Sequence, residues 1–263
     1  MSDPNTATTA ADRGIVDRGT MDRGTEEPRT PMSTAGADEA PVPNGQVPQT
    51  LKADTVQEFM RLLEDGPKDL GSAPPILTLP RPLLRDMFEQ LDISQSTNEE
   101  QGLLFGYMAP KITYGSIFVT GKEDQIDYSK ARKTWRSIKV IGTFHTHPLS
   151  IGIDAGGAST GVTGGGHSGN DITNFFRKSE RASVVASYRR DGRRVIYFLL
   201  KPQNFTIPGT PQRVGQAYAD RVITKMDKGA DAHDASRQEL TDLAHAGAFV
   251  FYFGVDSQTL LKQ

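Results

Sequence analysis

Residues 183–200 constrain the fold more than any other stretch. Two runs, 183–188 and 195–200, are rich in β-branched and aromatic side chains, and Arg190-Asp191-Gly192-Arg193 separates them. Asp-Gly accepts the positive φ angles that tight hairpin turns demand, so the two runs are expected to pair antiparallel. The second run, Val195 to Leu200, is continuously apolar. A strand with no polar side is covered on both faces, which places it centrally in a sheet with other layers against it.

Helices must supply those layers. Asp54, with Gln57 three residues on, is placed to cap a helix through Val56, Phe59, Met60, Leu62 and Leu63 that Gly66-Pro67 ends. After a short strand at 76–79, Pro82 sits in the first turn of a second helix. Its Leu84, Met87, Phe88 and Leu91 recur at i, i+3, i+4 and i+7, which is one buried stripe. Gly102-Leu103-Leu104-Phe105-Gly106 and residues 112–119 read as an antiparallel pair, 121–133 as a polar loop, and 138–147 as a further strand. A helix is expected from Ser168 through Ile172, Phe175 and Phe176. Two more follow, one on Val214, Tyr218, Val222 and Met226 and one near Leu240 and Leu243, before a last strand at 248–253. The class implied is α+β, a mixed and partly antiparallel sheet flanked by helices.

Composition narrows the function classes. No run of eighteen apolar residues occurs, so no membrane span or membrane partner is expected, and the first thirty residues lack the apolar core of a secretory signal. There is no cysteine, which removes disulfides, thiolate metal ligands and cysteine nucleophiles together and fits a cytoplasmic location. A formal charge of −2 gives no reason to expect nucleic acid as a partner. Residues 1–50 hold eight acids against four arginines and repeat Asp-Arg-Gly at 12–14, 17–19 and 22–24. So short a period builds no structural unit, and 1–50 reads as a disordered low-complexity tail ahead of a domain at 51–263.

The chemistry gathers between His145 and Asp171. His145 and His147 are two apart on an expected strand, so both imidazoles project from one face and can meet one metal ion. A catalytic zinc typically takes three protein ligands, and Asp171 is the candidate carboxylate. Ser168 and Asp171 at a helix start also fit a plain N-cap arrangement. Hydrolysis needs, in addition, a base to carry the proton of the attacking water, and Glu99 or Glu100 is close enough in the chain to a buried strand to serve. Residue chemistry does not choose between them.

These residues resemble the signature of the JAMM/MPN+ (JAB domain) metalloprotease family. Its pattern is Glu-x-x-Gly-Leu, then His-(Ser or Thr)-His-Pro, then Ser-x-x-Asp. Here the chain reads Glu99-Glu100-Gln101-Gly102-Leu103, then His145-Thr146-His147-Pro148, then Ser168-Gly169-Asn170-Asp171. The resemblance covers about residues 75–201 and leaves 202–263 as a C-terminal helical extension. It implies an MPN/JAB-like, cytidine-deaminase-like fold and one zinc ion on His145, His147 and Asp171. It further implies Glu99 as the catalytic glutamate and Ser168 as a stabiliser of the oxyanion. The implied activity is hydrolysis of isopeptide or peptide bonds after the C-terminal glycine of ubiquitin or a ubiquitin-like protein. Two other readings are a non-catalytic MPN scaffold, whose relatives typically lack part of the ligand set, and a zinc amidohydrolase of small amides or peptides.

The family usually places Ser-x-x-Asp soon after the histidines, whereas residues 149–167 intervene here. Closure cost grows only with the logarithm of loop length, so the metal geometry can survive the insertion, either as a lid beside the site or as a passive loop. His167 adjoins Ser168 and could reach the pocket, but a loop histidine is more often solvent-exposed than ligating, and exposure is expected. His233 and His245 read as ordinary helix or loop residues, and Trp135 as a core residue or a substrate surface.

Overall fold

The computed structural model describes residues 50–51, 56–108, 113–120, 126–134, 138–153, 159–163, 165–247 and 249–263. Gly45–Gln263 form one compact unit. The expected tail lies outside the described residues except for Thr50, which starts the first strand; Asp54 and Trp135 also lie outside them. In chain order the elements are β1 (Thr50–Leu51), α1 (Val56–Asp65), β2 (Ile76–Thr78), α2 (Arg81–Thr97), β3 (Gln101–Met108) and β4 (Thr113–Thr120). Next come α3 (Ser129–Thr134), β5 (Ile138–His147), β6 (Ser150–Ile153), β7 (Ser159–Thr163), α4 (Gly169–Arg177), β8 (Ala182–Tyr188) and β9 (Arg194–Leu200). The chain closes with α5 (Pro211–Asp227), α6 (Ala232–His245), β10 (Val250–Val255) and β11 (Thr259–Lys262).

Among the described residues nine strands form one sheet in the order β1-β2-β11-β10-β9-β8-β5-β3-β4. The sheet is mixed: β5 runs parallel to β8, and β8–β9, β9–β10, β3–β5 and β3–β4 are antiparallel. The class is α+β. The Asp-Gly hairpin forms as expected, with Gly192 at φ 80 closing a turn in which its N–H donates to the Arg189 carbonyl at 2.9 Å. β9 is fifth of the nine strands and has both faces covered.

One face of the sheet packs against α1 and α2. Leu103, Phe105, Phe144, Val184, Phe198 and Tyr252 lie on it beside Phe59, Leu63, Met87 and Leu91. The opposite face packs against α4, α5 and α6, where Val185, Tyr197, Leu199 and Phe251 meet Ile172, Phe176, Tyr218 and Leu240. Alternation along each strand sends consecutive residues to the two faces.

Three expectations need correction. The polar stretch ending at 133 is not all loop, because α3 forms within it and its first residue, Ser129, donates its N–H to Asp127 Oδ1 at 2.8 Å. The strand at 248–253 is not the last. β11 follows it and pairs with both β10 and β2, so residues 202–263 add two strands to the sheet as well as the helices α5 and α6. Thr259-Leu260-Leu261-Lys262 is too short to show a strand period on its own. The inserted loop holds the β6–β7 hairpin, with residues 154–158 and 164 outside the described residues. Among the described residues no helix is long and apolar enough to cross a membrane.

Candidate metal centre

β5 carries the histidines and a β-bulge sets which way they point. Phe105 pairs with Gly142 and Gly106 with Val140, so Ile141 is an extra residue in β5. Beyond it, Gly142, Phe144 and Thr146 face α2, while Thr143, His145 and His147 face α4. Glycine is required at the bulge: a Cβ on Gly106 would lie 2.0 Å from the Lys139 carbonyl oxygen. The residue between the histidines anchors a neighbouring strand. Thr146 Oγ1, buried on the α2 side, accepts from the Gln101 N–H at 2.9 Å and ties the entry of β3 to β5.

That tie decides between the two glutamates. Gly102 pairs with His145 in an antiparallel register, which carried back two residues sets Glu100 opposite His147. Glu100 is buried and its Oε1 lies 3.7 Å from His147 Nε2. Glu99, the residue the family pattern implies, does not line the cavity described below; it is half-buried, and its N–H donates to Thr97 Oγ1 at 3.3 Å. The structure thus sets Glu100, not Glu99, beside the histidines, because side chains alternate along the strand entry.

α4 supplies the third group. Ser168 is its N-cap: the hydroxyl accepts from the Asp171 N–H at 3.1 Å and the Ser168 N–H donates to Asp171 Oδ2 at 2.7 Å. This capping box has two effects, since the same bond that starts the helix also fixes the Asp171 carboxylate. Asp171 Oδ1 lies 3.2 Å from His145 Nε2 and Oδ2 lies 3.5 Å from His147 Nε2, with 3.2 Å between the two Nε2 atoms. α4 is held at this height by α5. They cross where both are glycine, and a Cβ on Gly215 would lie 2.2 Å from Thr173 Oγ1 and 2.4 Å from the Gly169 carbonyl oxygen.

The three groups could hold a metal ion. Two imidazole nitrogens 3.2 Å apart face a carboxylate that sets Oδ1 3.2 Å from one and Oδ2 3.5 Å from the other, an arrangement that a shared cation would satisfy. Burial works against the Asp171 carboxylate, but the charges and hydrogen bonds of His145 and His147 win and hold its pKa well below the usual carboxylate range.

A cavity of about 640 Å³ opens onto the group. Tyr128, which no motif marks in the sequence, forms part of its wall and donates its OH to the Phe144 carbonyl at 2.5 Å. Burial, then the charges of Asp171 and Glu100, push its pKa well up, so it is a neutral phenol. Along α4, Asp171, Asn174 and Lys178 follow at i, i+3 and i+7 and line the cavity from the metal group downward.

His167 is the largest surprise of the site. Expected to face solvent, it is 2% exposed, lines the cavity, and has its Nε2 3.1 Å from Ser183 Oγ. Its ring centroid is 6.4 Å from that of His145. Burial pushes its pKa down to about 3, against the pull of Asp171. A second serine on the same face of β8, Ser187, donates to the Gly165 carbonyl at 3.0 Å, so β8 pins the segment leading into α4 at two points. Polar residues at i and i+4 in an otherwise apolar strand were the available signal. His233 is buried on α6 between Tyr197 and the Tyr188 carbonyl, a packing role, and His245 ends the same helix. Compared with known proteins, the chain matches no protein-family model and no curated sequence.

Proposed function

We propose that this chain is a zinc-dependent hydrolase of the JAMM/MPN+ kind, with an MPN/JAB-like fold. It would act in the cytoplasm on isopeptide or peptide bonds after the C-terminal glycine of ubiquitin or a ubiquitin-like protein. The observation that carries this reading is the convergence of His145, His147 and Asp171 with Glu100 beside His147, at the head of a cavity. Zinc suits the donor set of two imidazoles and a carboxylate. Donors about 2.0–2.1 Å from a tetrahedral centre are about 3.3 Å apart, close to the 3.2 Å between the two Nε2 atoms and the 3.2 Å from His145 Nε2 to Asp171 Oδ1.

Zinc held there supplies Lewis acidity, which acidifies water and polarises a carbonyl. The chain's own residues do the rest. Glu100 Oε1 takes the proton from the attacking water as the water oxygen bonds to the carbonyl carbon. The C–N bond then breaks, and Glu100 hands that proton to the leaving nitrogen. Asp171, fixed by the Ser168 cap, keeps the ligand set in register, and the neutral Tyr128 phenol adds no charge to the wall. Ser168 keeps its hydroxyl proton free to donate, because in the cap its oxygen is the acceptor.

One feature favours a second reading. A cavity of about 640 Å³ falls within the range of small-molecule clefts, which suits a zinc amidohydrolase of small amides or peptides. The scaffold reading has less support, since the ligand set is complete. Hydrolysis of ubiquitin-like C-terminal fusions and of small glycyl amides, with and without chelator, separates the readings. Chelator-sensitive turnover that falls about 10²–10⁴-fold in Glu100→Gln with metal retained, and by less than about threefold in Glu99→Gln, is the expected result. No hydrolysis of either substrate class by the metal-loaded chain would contradict the proposal.

A further inference from the structure

His167 is a buried imidazole with one nitrogen engaged and the other not. Nε2 faces Ser183 Oγ, while Nδ1 is buried and has no partner among the described residues. A buried polar atom left alone costs about 1–3 kcal/mol, so one that lines a cavity points to a partner that arrives with the ligand. The ring is not itself one of the three converging metal ligands. It cannot swing to become one without breaking the Ser183 contact. Its backbone is also fixed on both sides, by Ser187 on Gly165 and by the Ser168 cap.

The Ser183 hydroxyl bears on the tautomer. Ser183 is buried, lines the same cavity, and approaches the His167 ring with both its hydroxyl, 3.1 Å from Nε2, and its backbone. If Nε2 carried the proton, Nδ1 would be left as a bare buried acceptor and the serine proton would need another acceptor. If Ser183 donates to Nε2, both groups are satisfied and the imidazole proton sits on Nδ1. The neutral ring then holds its N–H at the wall of the cavity that His167 lines, its centroid 6.4 Å from that of His145.

Resting on the hydrolase reading, we infer that His167 is a substrate-contacting residue whose Nδ1–H donates to the carbonyl oxygen of the scissile bond and strengthens that bond as the oxygen gains charge. A neutral donor suits this role. Preorganised by Ser183, it needs no reorganisation when charge develops, and it adds no cation beside the metal. Ser168, implied for this role by the family pattern, also keeps its hydroxyl proton, so His167 is a second donor beside it at the cavity wall.

Two measurements test this. Long-range ¹H–¹⁵N spectra of the imidazoles in the full metal-free chain are expected to show His167 uncharged with its proton on Nδ1, a preference that Ser183→Ala abolishes. A proton on Nε2 would overturn the inference whether or not the chain hydrolyses anything. In the zinc-loaded chain, His167→Phe and His167→Gln are expected to lower kcat about 10²–10³-fold with zinc content unchanged. His167→Asn, whose amide nitrogen reaches the Nδ1 position where that of Gln reaches Nε2, is expected to recover at least about tenfold of the loss. Equal turnover in all three variants, or loss of zinc from a folded His167→Phe, would overturn it. Absence of hydrolysis by the wild-type chain would count against the function proposed above and leave the spectroscopic result to decide on His167.

Discussion

The two faces of the sheet are made by the same strands and have opposite roles. Toward α2, β5 and its neighbours present Phe144, Leu103, Phe105 and Val184, all fully buried and apolar. Toward α4, one residue away in each strand, they present His145, His147, Glu100 and Ser183 around a cavity. The difference shows how a rigid site is built: the apolar face fixes strand positions through packing, and the alternate residues inherit those positions without contributing to the core. Substitutions on the two faces should therefore separate stability from metal binding.

The largest separation is expected for Phe198→Ala against His147→Ala. Phe198 is fully buried between Phe59 and Tyr252, and its truncation should lower unfolding free energy by about 3–5 kcal/mol in chemical denaturation. His147→Ala should abolish stoichiometric metal binding while the metal-free chain stays within about 1 kcal/mol of wild type. A metal-binding, strongly destabilised His147→Ala would break the division.

Gly215→Val probes the link between the helices. The close approach of α5 to Gly169 and Thr173 leaves no room for a side chain, so α4 must shift and carry Asp171 with it. Metal affinity in chelator competition should fall about 10–100-fold, the scale of losses from disturbed support around a ligand. Unchanged affinity would mean that α4 is placed by something other than this crossing.

The pH response sharpens the role of the polar face. His167 stays neutral in the folded chain down to about pH 3, whereas its ordinary pKa is 6.5. Between those values the unfolded chain holds a proton that the folded chain refuses, so stability of the metal-free protein falls as pH falls. The slope is at most about 1.4 kcal/mol per pH unit from this group. His167→Asn should flatten it in urea titrations run from neutral into mildly acidic buffer, with His233, also lowered by burial, retaining part. Asp171 has the opposite window: its depressed pKa contributes stability above the ordinary carboxylate value and loses it only in stronger acid. The smallest effect expected is that of Ser187→Ala, about 1 kcal/mol from one hydrogen bond to Gly165, read in the same titrations.

Much of the frame was legible because it rests on local rules. Asp191-Gly192 announced the hairpin, Val195 to Leu200 the central strand, and the spacing of Met87 and Leu91 the buried stripe of α2. The histidine pair and Asp171 were legible for the same reason, since strand alternation and a capping box are readable from spacing. What stayed hidden depends on register and packing. Choosing Glu100 over Glu99 required the pairing of Gly102 with His145 across two strands far apart in the chain. The bulge at Ile141 has no sequence signature beyond glycines that serve equally well elsewhere. His167 sits after three glycines, where composition reads as exposed loop, and only the serines of β8 show that the segment is pinned.

Metal content tests the central claim most directly. Full-length protein purified with zinc available and then dialysed should carry one zinc per chain by elemental analysis. Each of His145→Ala, His147→Ala and Asp171→Ala should lose it, while Glu100→Gln and Glu99→Gln keep it. A folded, zinc-supplied wild-type chain that retains no zinc, or an Asp171→Ala variant that still binds one equivalent, would contradict the assignment of this group as a metal centre.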